Sequence, residues 1–482
     1  MKLGALIGVD AAGEQAEASV TGCAIDHRKV APGTVFGAFR GLARNGEDFI
    51  AGAVEAGAVA VVARPEASVP AGVVHIADAE PRRAFARIAA KFFAPFPDTT
   101  VAVTGTNGKT STVEMVRQLW RMQGHNAASI GTLGVTTTDS EGRAQAVSTG
   151  LTTPDIVTFL SNMAGLRREG VTHAAFEASS HGLAQFRTEG LPVKVVGFTN
   201  LSRDHLDYHG TMEAYLEAKL RLFSEVVDRD GAAVIWADDP VSARVMDIAR
   251  ERGLKLLTVG AKGETLKLVE RTPTQLGQTL MIEAEGKVHK VNLPLIGAYQ
   301  AANALVAAGF ALATGGSLAD VLGGLSRLQP VRGRLERAVI TAKGAPVYVD
   351  YAHTPDGLQA AIEALKPHAR ERLIVVFGAG GDRDTGKRPE MGAIAAKMAD
   401  VAIVTDDNPR TEDPATIRSA IMAAAPGARE VGDRRSAIAA AVAEAGEGDV
   451  VLVAGKGHET GQIVGDLVLP FDDVSVAREV AA

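Results

Sequence analysis

The chain has 482 residues, of which 46% are hydrophobic and 22% charged, and it carries a net charge of −7 at pH 7. This composition is ordinary for a globular protein of roughly three domains of about 150 residues each, and the negative charge argues against a nucleic-acid partner. The single cysteine, Cys23, excludes an internal disulfide framework, and no apolar run reaches the roughly 18 residues of a membrane span, so we expect a cytoplasmic protein without membrane insertion.

The first 98 residues contain short apolar segments and one helical segment. AVAVVA and GVVHIA predict strands, and PRRAFARIAAKFFA predicts a helix, so residues 1–98 are expected to form a small α/β domain. The apolar LGALIGV near the start is followed by Asp10 and Glu14 rather than by a small-residue cleavage site, which favours a first structural element over a signal peptide. The proline-marked FPDTT then links to the next domain.

Residues 101–112, VAVTGTNGKTST, have the order strand, glycine loop, helix. Such a loop turns backbone N–H groups and a helix N-terminus toward an anion, while Lys109 can reach the outer phosphates and Thr110 can offer a hydroxyl to Mg²⁺. The spacing differs from the usual phosphate-binding loop, because two residues separate Gly105 and Gly108 instead of four. The stretch predicts ATP binding.

The middle of the chain alternates strand-like runs with helices as far as about residue 330. The runs are TVAVTG, HAAFEAS, VVGFTN and GAAVIWA, and their alternation with helices predicts a mostly parallel sheet covered on both faces. Glu177 ends one run, where it could hold Mg²⁺ or be a satisfied strand-end carboxylate. For Lys219, in YLEAKLRLF, composition alone predicts an ordinary helical lysine.

A second group of polar residues follows the run VVGFTN. NLSRDHLDYHG places Asp204, His205, Asp207 and His209 within six positions. Such a cluster could bind a metal, stabilise a loop or do neither, so it is weak evidence alone.

From about residue 331, four apolar runs each end on polar or glycine-rich residues: PVYVDYAH, RLIVVFGAGGDRD, DVAIVTDDNPR and DVVLVAGKGHE. The loops at the carboxyl ends of such strands form the binding crevice of an open α/β sheet. The cations expected to meet an anionic substrate here and in the middle domain are Arg187, Arg203, Arg334, Arg383, Lys387, Arg388 and Arg410.

Eight motifs together resemble those of the Mur ligases: TGTNGKTST, LTTPD, FEASSHGL, NLSRDHLDYHGTMEAYLEAKLRLF, VDYAHTPDGL, GAGGDRDTGKRPEMG, DDNPRTEDP and GKGHE. The similarity covers nearly the whole chain. It implies a three-domain α/β protein, with a UDP-binding domain (1–98), a central P-loop ATPase domain with a mostly parallel sheet (99–330) and a C-terminal Rossmann-like domain that binds the incoming amino acid (331–482).

The motifs are most similar to those of the branch that adds meso-diaminopimelate to the D-glutamate side-chain carboxylate of UDP-N-acetylmuramoyl-L-alanyl-D-glutamate. The resemblance implies an ADP-forming ligase of peptidoglycan precursor synthesis that acts through an acyl phosphate and with Mg²⁺. We expect the protein to be a monomer.

The resemblance also assigns residues. It assigns ATP to Gly105, Thr106, Asn107, Gly108, Lys109, Thr110, Ser111, Asn303, Arg334, Asp350 and His353, and the UDP-muramoyl substrate to Thr152, Thr153, Ser179, Gln185 and Arg187. It assigns diaminopimelate to Arg383, Asp407, Asn408, Pro409, Arg410, Gly455 and Glu459. The catalytic set is Lys109, Glu177, His205 and Lys219, and the metal ligands are Thr110, Glu177, His205 and Lys219, the last as a carbamate (N6-carboxylysine).

The DDNPR motif carries the expectation about the amino acid. The far end of meso-diaminopimelate bears a carboxylate as well as an ammonium, and the planar guanidinium of Arg410 can bind a carboxylate through two hydrogen bonds. Asn408 can add a hydrogen bond and Glu459 can take the ammonium, so we expect a strong preference over L-lysine. The alternative for Arg410 is a surface ion pair with Glu412 or Asp413.

Three positions depart from the family pattern. His27 stands where the family usually has serine, a position that contacts the uridine nucleotide in the family. Gln300 replaces a frequent asparagine and Arg332 a common proline.

Three other functions fit parts of the sequence: an L-lysine-adding Mur ligase, a ligase similar to folylpolyglutamate synthase, and a regulatory nucleotide-binding protein. In folylpolyglutamate synthases the phosphate loop comes closer to the N-terminus, whereas about a hundred residues precede it here. A regulatory protein would not need the second, amino-acid pocket.

Overall fold

A computed structural model of the chain describes residues 1–41, 44–138, 144–147, 152–274 and 277–482. Leu151, the first residue of the LTTPD motif, lies outside the described residues. Within these ranges the strands form three larger sheets and one two-stranded sheet. The same ranges contain no helix that is both long enough and apolar enough to cross a membrane.

The first sheet is small and parallel, and two of its strands lie in the predicted segments AVAVVA and GVVHIA. Its strands are β1 (Gly22–Ala24), β2 (Thr34–Gly37), β3 (Ala58–Ala63) and β4 (Val74–Ala77), paired in that order, and its helices are α1 (Leu3–Ile7), α2 (Val9–Ala12), α3 (Ile50–Glu55) and α4 (Pro81–Phe93). Short 3₁₀ helices lie at Gly13–Gln15, His27–Lys29 and Gly46–Phe49. Phe85 of α4 is fully buried in one core with Val35 and Val62 of the sheet.

The second sheet begins with the strand that precedes the phosphate loop. Its strands in the described ranges are β5 (Thr99–Thr104), β6 (Ala127–Gly131), β7 (Gly134–Thr138), β8 (Ala144–Val147), β9 (His173–Glu177), β10 (Val195–Phe198), β11 (Ala232–Trp236), β12 (Lys255–Gly260), β13 (Leu266–Thr274), β14 (Gly277–Ala284) and β15 (Lys287–Leu293). They pair in the order β15-β14-β13-β12-β11-β10-β5-β9-β6-β7-β8. The stretch from β13 to β6 is parallel, and antiparallel pairs extend the sheet at both edges.

Helices cover both faces of this sheet, which confirms the expected layering. They are α5 (Lys109–Met122), α6 (Ile156–Arg168), α7 (Ser180–Ala184), α8 (Leu206–His209), α9 (Met212–Arg221), followed by a π-helix at Leu222–Val226, α10 (Ser242–Glu251), α11 (Ala298–Ala313) and α12 (Leu318–Leu325). Val101 and Val103 belong to the core that contains α5 and α11, whereas Ala102 belongs to the core that contains α6 and α9. Burial on both faces explains the continuous apolar run that precedes the phosphate loop.

The third sheet is parallel except at one edge. Its strands are β16 (Glu336–Ile340), β17 (Pro346–Asp350), β18 (Leu373–Phe377), β19 (Val401–Val404), β20 (Arg429–Glu430) and β21 (Val450–Ala454), in the order β16-β17-β21-β18-β19-β20, with β16 antiparallel to β17. Its helices are α13 (Pro355–Leu365), a 3₁₀ helix at Lys366–His368, α14 (Lys387–Met398), α15 (Pro414–Met422), α16 (Arg434–Glu444) and α17 (Asp473–Ala481). A separate hairpin is formed by β22 (Gly461–Val464) and β23 (Leu467–Pro470).

The four polar-ended runs of this part are neighbouring strands. They are β17, β21, β18 and β19, and they pair side by side in parallel. Their carboxyl-end loops therefore meet at one edge of the sheet, as expected. The hairpin is attached there, because Arg410 donates its N–H to the carbonyl of Ile463 at 3.0 Å and accepts from the N–H of Gly465 at 2.7 Å.

Candidate functional site

The phosphate loop runs from the end of β5 to the start of α5. Gly105 has φ +148°, and a Cβ there would collide with the hydroxyl of Thr199. Gly108 has φ +87° and directly precedes the helix. The Lys109 ammonium bonds to the carbonyls of Gly105 at 2.9 Å and Thr106 at 2.7 Å, so the lysine folds back over the loop. Both glycines are thus required by the backbone, in the conformation that exposes loop N–H groups to an anion.

The other predicted loop residues differ in exposure. Asn107 is exposed, and its N–H donates to Oδ1 of Asn200 at 2.9 Å. Thr106, Thr110 and Ser111 are buried, with 8%, 6% and 3% exposure. The hydrogen bond from Asn107 to Asn200 ties the phosphate loop to the loop after β10.

Lys219, in the last turn of α9, is not an ordinary surface lysine. Its side chain is 1% exposed, and Nζ donates to the carbonyl of Gly105 at 2.7 Å. Burial, and then the positive charge of Lys109, lower the pKa of Lys219 well below its ordinary value, while Asp204 opposes the shift. The neutral amine is therefore favoured, and a neutral amine is the form that reacts with CO₂.

Glu177 ends β9 beside the phosphate loop, as the sequence predicts. Its side chain is buried, and its carboxylate accepts from the N–H of Thr132 at 2.7 Å and from the hydroxyl of Thr132 at 3.3 Å. Burial raises the pKa of Glu177, and the positive charge of Lys109 opposes that shift. The nearby Thr110 hydroxyl also opposes the raised pKa of Glu177.

Two oxygen-bearing side chains at this position could ligate a metal ion. Among the described residues no group of three or more His, Cys, Asp or Glu side chains is arranged to hold a metal. The Thr110 hydroxyl and the Glu177 carboxylate lie together, however, and are the hard oxygen ligands that Mg²⁺ accepts while keeping several waters. The donor set therefore fits Mg²⁺.

His205 lies in the loop after β10 with φ +54°, next to Asp204. Its Nε2 is 3.3 Å from Oδ2 of Asp204, and its side chain is 43% exposed. Partial burial lowers the pKa of His205; Asp204 opposes the shift, and Lys109 and Lys219 add to it. The lowered pKa favours the neutral imidazole, which is the form that ligates a metal.

The residues predicted for the muramoyl substrate cluster around Glu177; they are Thr152, Thr153, Ser179, Gln185 and Arg187. The Thr153 hydroxyl donates to the carbonyl of Glu177 at 2.8 Å and accepts the N–H of Ser179 at 3.1 Å. The Thr152 hydroxyl lies 3.1 Å from that of Thr132. Arg187 donates to the carbonyl of Thr153 at 2.7 Å and to Oε1 of Gln185 at 2.8 Å. These bonds end on uncharged oxygens, which leaves the guanidinium charge available to an anion.

The DDNPR loop meets the loop after β21 at the edge of the third sheet. Asp407 and Asn408 are buried, and Nδ2 of Asn408 donates to Oε2 of Glu459 at 2.8 Å. Gly455 has φ +120°, and a Cβ there would lie 2.6 Å from Oδ2 of Asp407. Pro409 accepts the N–H of Glu412 at 3.2 Å. The predicted amino-acid residues of these two loops are therefore in direct contact.

Arg410 does not make the surface ion pair considered as its alternative. Glu412 pairs with Arg388 at 2.8 Å, and Asp413 caps the start of α15. Arg410 instead donates from Nη1 to the carbonyl of Gly381 at 2.8 Å and is partly exposed. Arg383 is exposed on the same loop as Gly381.

The other predicted nucleotide residues connect the second and third sheets. Nη2 of Arg334 donates to the Thr110 hydroxyl at 3.2 Å, and its guanidinium lies 4.4 Å from the centre of the Tyr351 ring. A Cβ on Gly108 would collide with Oδ1 of Asn303, so Asn303 touches the phosphate loop. Arg334 and Asn303 therefore bring groups from outside the loop to the phosphate site.

Asp350 ends β17, and His353 lies in the loop that follows it. Oδ2 of Asp350 accepts the N–H of Leu335 at 2.7 Å and the hydroxyl of Tyr299 at 3.3 Å. The carbonyl of His353 accepts from Nζ of Lys387 at 2.8 Å. Burial lowers the pKa of His353, and the charge of Lys387 adds to that shift.

The positions that depart from the family pattern all have partners. His27 stacks on Phe49 with ring centres 4.4 Å apart. Gln300 donates to the carbonyl of Arg334 at 3.1 Å, and Arg332 forms an ion pair with Asp472.

Two charged residues of the site, Asp204 and Arg82, are not among those that the resemblance assigns. Asp204 opposes the lowered pKa values of Lys109, Lys219 and Lys387, so its carboxylate lies among cations of two different sheets. Arg82 of α4 lies over the ring of Phe39 at 4.9 Å; burial lowers its pKa, and the nearby charge of Arg187 adds to the shift. Asp204 was visible as part of a polar cluster, whereas PRRAFARIAAKFFA offered no signal beyond helical periodicity.

Comparisons with known proteins cover nearly all of the chain. Residues 19–93 match the model "Mur ligase family, catalytic domain", residues 103–311 "Mur ligase middle domain" and residues 333–457 "Mur ligase, glutamate ligase domain".

Two curated relatives carry the name UDP-N-acetylmuramoyl-L-alanyl-D-glutamate–2,6-diaminopimelate ligase. The protein of Zymomonas mobilis is 59% identical over 95% of this chain and 94% of its own length, and that of Bradyrhizobium diazoefficiens is 53% identical over 98% and 97%. A solved structure of a ligase with the same name is 31% identical, with a TM-score of 0.74, over 100% of this chain and 98% of that one. The chain therefore belongs to the Mur ligase family.

Proposed function

We infer that this Mur ligase uses ATP to join meso-diaminopimelate to the D-glutamate side-chain carboxylate of UDP-N-acetylmuramoyl-L-alanyl-D-glutamate, a step of peptidoglycan precursor synthesis. One observation carries the choice of amino acid: Asn408, Arg410 and Glu459 occupy adjoining loops at the carboxyl edge of the third sheet. A guanidinium, an amide and a carboxylate match a far end with both a carboxylate and an ammonium. The relatives of the same name support this choice over L-lysine.

We propose that each of the three sheet-containing regions binds a different substrate. Residues 1–98 bind the UDP part, residues 99–330 bind ATP, and residues 331–482 bind the amino acid. Arg187 lies on the side of the second sheet that holds Glu177 and is suited to an anionic group of the muramoyl substrate.

The chemistry follows from the poor reactivity of a carboxylate. An oxygen of the D-glutamate carboxylate attacks the γ-phosphorus of ATP, ADP leaves, and an acyl phosphate forms. The diaminopimelate amine then attacks the acyl carbon, loses a proton and displaces phosphate. Lys109 and the loop N–H groups stabilise the transferring phosphoryl group, and Arg334 supplies a further cation beside Thr110.

Thr110, Glu177, His205 and a carbamate on Lys219 are the proposed metal ligands. The neutral Nζ of Lys219 adds to the carbon of CO₂ and loses a proton, which converts the side chain from a potential cation to an anion. Bound Mg²⁺ would neutralise charge on the phosphates. Lys219 donates to the carbonyl of Gly105, so a carbamate would lie beside the phosphate loop.

The product of the reaction tests this function. Purified protein, ATP, Mg²⁺, the UDP-muramoyl dipeptide and meso-diaminopimelate should give a new species whose mass equals that of the two joined substrates minus one water. Fragmentation should place the new amide on the D-glutamate side chain. A product with L-lysine but none with diaminopimelate would overturn the choice of amino acid. We further propose that the protein acts in the cytoplasm and that it is a monomer. Light scattering of the purified protein tests the oligomeric state.

A further inference from the structure

Lys456 lies in the loop after β21, between Gly455 and Glu459. Its side chain has no solvent exposure. Lysine is rarely found fully buried unless its charge is paired, so the partners of Lys456 indicate its role.

The ammonium of Lys456 contacts three residues that are proposed to form the amino-acid pocket. Nζ donates to Oδ1 of Asn408 at 3.0 Å and to Oε2 of Glu459 at 3.0 Å, and Oδ1 of Asp407 lies at 3.9 Å. An ammonium has three hydrogens and no acceptor, so three surrounding oxygens suit it. Lys456 therefore connects Asp407, Asn408 and Glu459.

These contacts fix the orientation of the Asn408 amide. Its Oδ1 accepts from Lys456 and also from the N–H of Ile463 at 2.9 Å. A flipped amide would turn its NH₂ group against two donors, so Nδ2 must point toward Glu459, to which it donates at 2.8 Å. Lys456 and the N–H of Ile463 together therefore determine which end of Asn408 is offered to the pocket.

Lys456 also sets the charge at the Glu459 end of the pocket. The Glu459 carboxylate is already compensated by the buried ammonium at 3.0 Å, while Arg410 lies nearby with bonds to uncharged carbonyls. A ligand end that brings only an ammonium adds positive charge to this arrangement. A ligand end that brings a carboxylate with its ammonium keeps the charges balanced.

We propose that Lys456 is a positioning and specificity-determining residue of the amino-acid pocket. It holds Asn408 and Glu459 in their binding orientation and favours an amino acid with a zwitterionic far end over one with a simple ammonium. The inference rests on the proposed function, because it assumes that these residues bind meso-diaminopimelate.

Two substitutions separate the two roles. Lys456→Met removes the charge and the donor, whereas Lys456→Gln removes the charge and keeps a donor for Oδ1 of Asn408. We expect Lys456→Met to raise the KM for meso-diaminopimelate by about tenfold or more, since removing one partner of a buried charge pair weakens binding strongly. The KM for ATP and for the UDP-muramoyl dipeptide should stay within about twofold, and so should kcat at saturating diaminopimelate. Lys456→Gln should retain more affinity than Lys456→Met.

The selectivity between the two amino acids distinguishes a specificity role from a merely structural one, because a structural role alone would leave that selectivity unchanged. In both variants the ratio of kcat/KM for meso-diaminopimelate over L-lysine should fall by about tenfold, because an uncompensated Glu459 attracts the lysine ammonium. Lys397→Met, which alters an exposed lysine of α14, is the matched control and should leave both ratios at the wild-type value. Adding Lys456→Met to Glu459→Gln should have little further effect on selectivity, because the two residues act together.

Wild-type KM and selectivity in the Lys456 variants would overturn the proposal. So would an equal loss of affinity for ATP and diaminopimelate, which would mark a general loss of structure. If Lys456→Met does not fold, Lys456→Gln carries the same test. Failure of the wild-type enzyme to use diaminopimelate would instead overturn the proposed function. The wild-type assay reveals such a failure before any variant is measured.

Discussion

Replacing Arg410 with alanine should weaken the binding of meso-diaminopimelate far more than that of any other substrate. Arg410 has φ +51°, and alanine carries the same Cβ, so the variant adds no backbone strain. The hydrogen bonds of the guanidinium to described residues all use Nη1, which bonds to the carbonyls of Gly381 at 2.8 Å and Asn408 at 3.5 Å. Nε and Nη2 remain for a ligand carboxylate.

The size of the effect follows from these bonds. Two hydrogen bonds to a charged group contribute about 1.5–3 kcal/mol each. Arg410 is partly exposed, so the lower end of that range applies and the loss is about 3 kcal/mol. Since about 1.4 kcal/mol is a factor of ten, KM for diaminopimelate should rise by roughly 100-fold.

The assay is phosphate release with each substrate varied in turn. Arg410→Lys should lie between wild type and Arg410→Ala, because lysine keeps the charge and loses the planar two-bond geometry. Arg429→Ala removes another arginine of the same sheet, which pairs with Glu444 at 2.6 Å near the surface, and should leave the kinetics unchanged. A KM for diaminopimelate within twofold of wild type in Arg410→Ala would refute the assignment of this pocket.

Three further predictions concern other parts of the molecule. Lys219→Ala should lose most activity, with partial recovery on addition of short carboxylates and none with bicarbonate, in the same phosphate-release assay; full activity would end the carbamate proposal. Arg434→Met should destabilise the protein by about 3–5 kcal/mol, measured by denaturant unfolding, because it leaves the fully buried Asp473 carboxylate without its partner at 2.7 Å; an unchanged midpoint would contradict this. Arg372 holds the pKa of Asp449 below its usual value, so this carboxylate contributes stability above its unfolded pKa of about 3.9 that is lost as pH falls through the lower folded value. Asp449→Asn should therefore flatten the acid side of the stability profile in unfolding measurements between about pH 2 and 5, and an unaltered profile would show that the pair is not responsible.

The phosphate loop and the loops of the third sheet were predictable because their signals are local. A glycine loop between a strand and a helix, or polar residues directly after an apolar run, specify where the chain turns and which edge of a sheet the side chains reach. Glu177 and Asn408 lie where those rules place them.

The burial and the roles of Lys219 and Lys456 were harder to predict from the sequence. Local composition does not distinguish Lys219 from a surface helical lysine, so only the resemblance singled it out. Its burial depends on contact with Gly105, 114 residues away in the chain. Lys456 likewise meets Asn408, 48 residues away. The antiparallel strands at the edges of the second sheet were also not expected, because alternation of strands and helices describes only the parallel centre.

The most direct test of the central claim is phosphate release from ATP by the purified wild-type protein when each co-substrate is withheld in turn. We predict release only when the UDP-muramoyl dipeptide and meso-diaminopimelate are both present, with L-lysine a poor replacement at equal concentration. Release that is independent of the amino acid, or equal with the two amino acids, would contradict it.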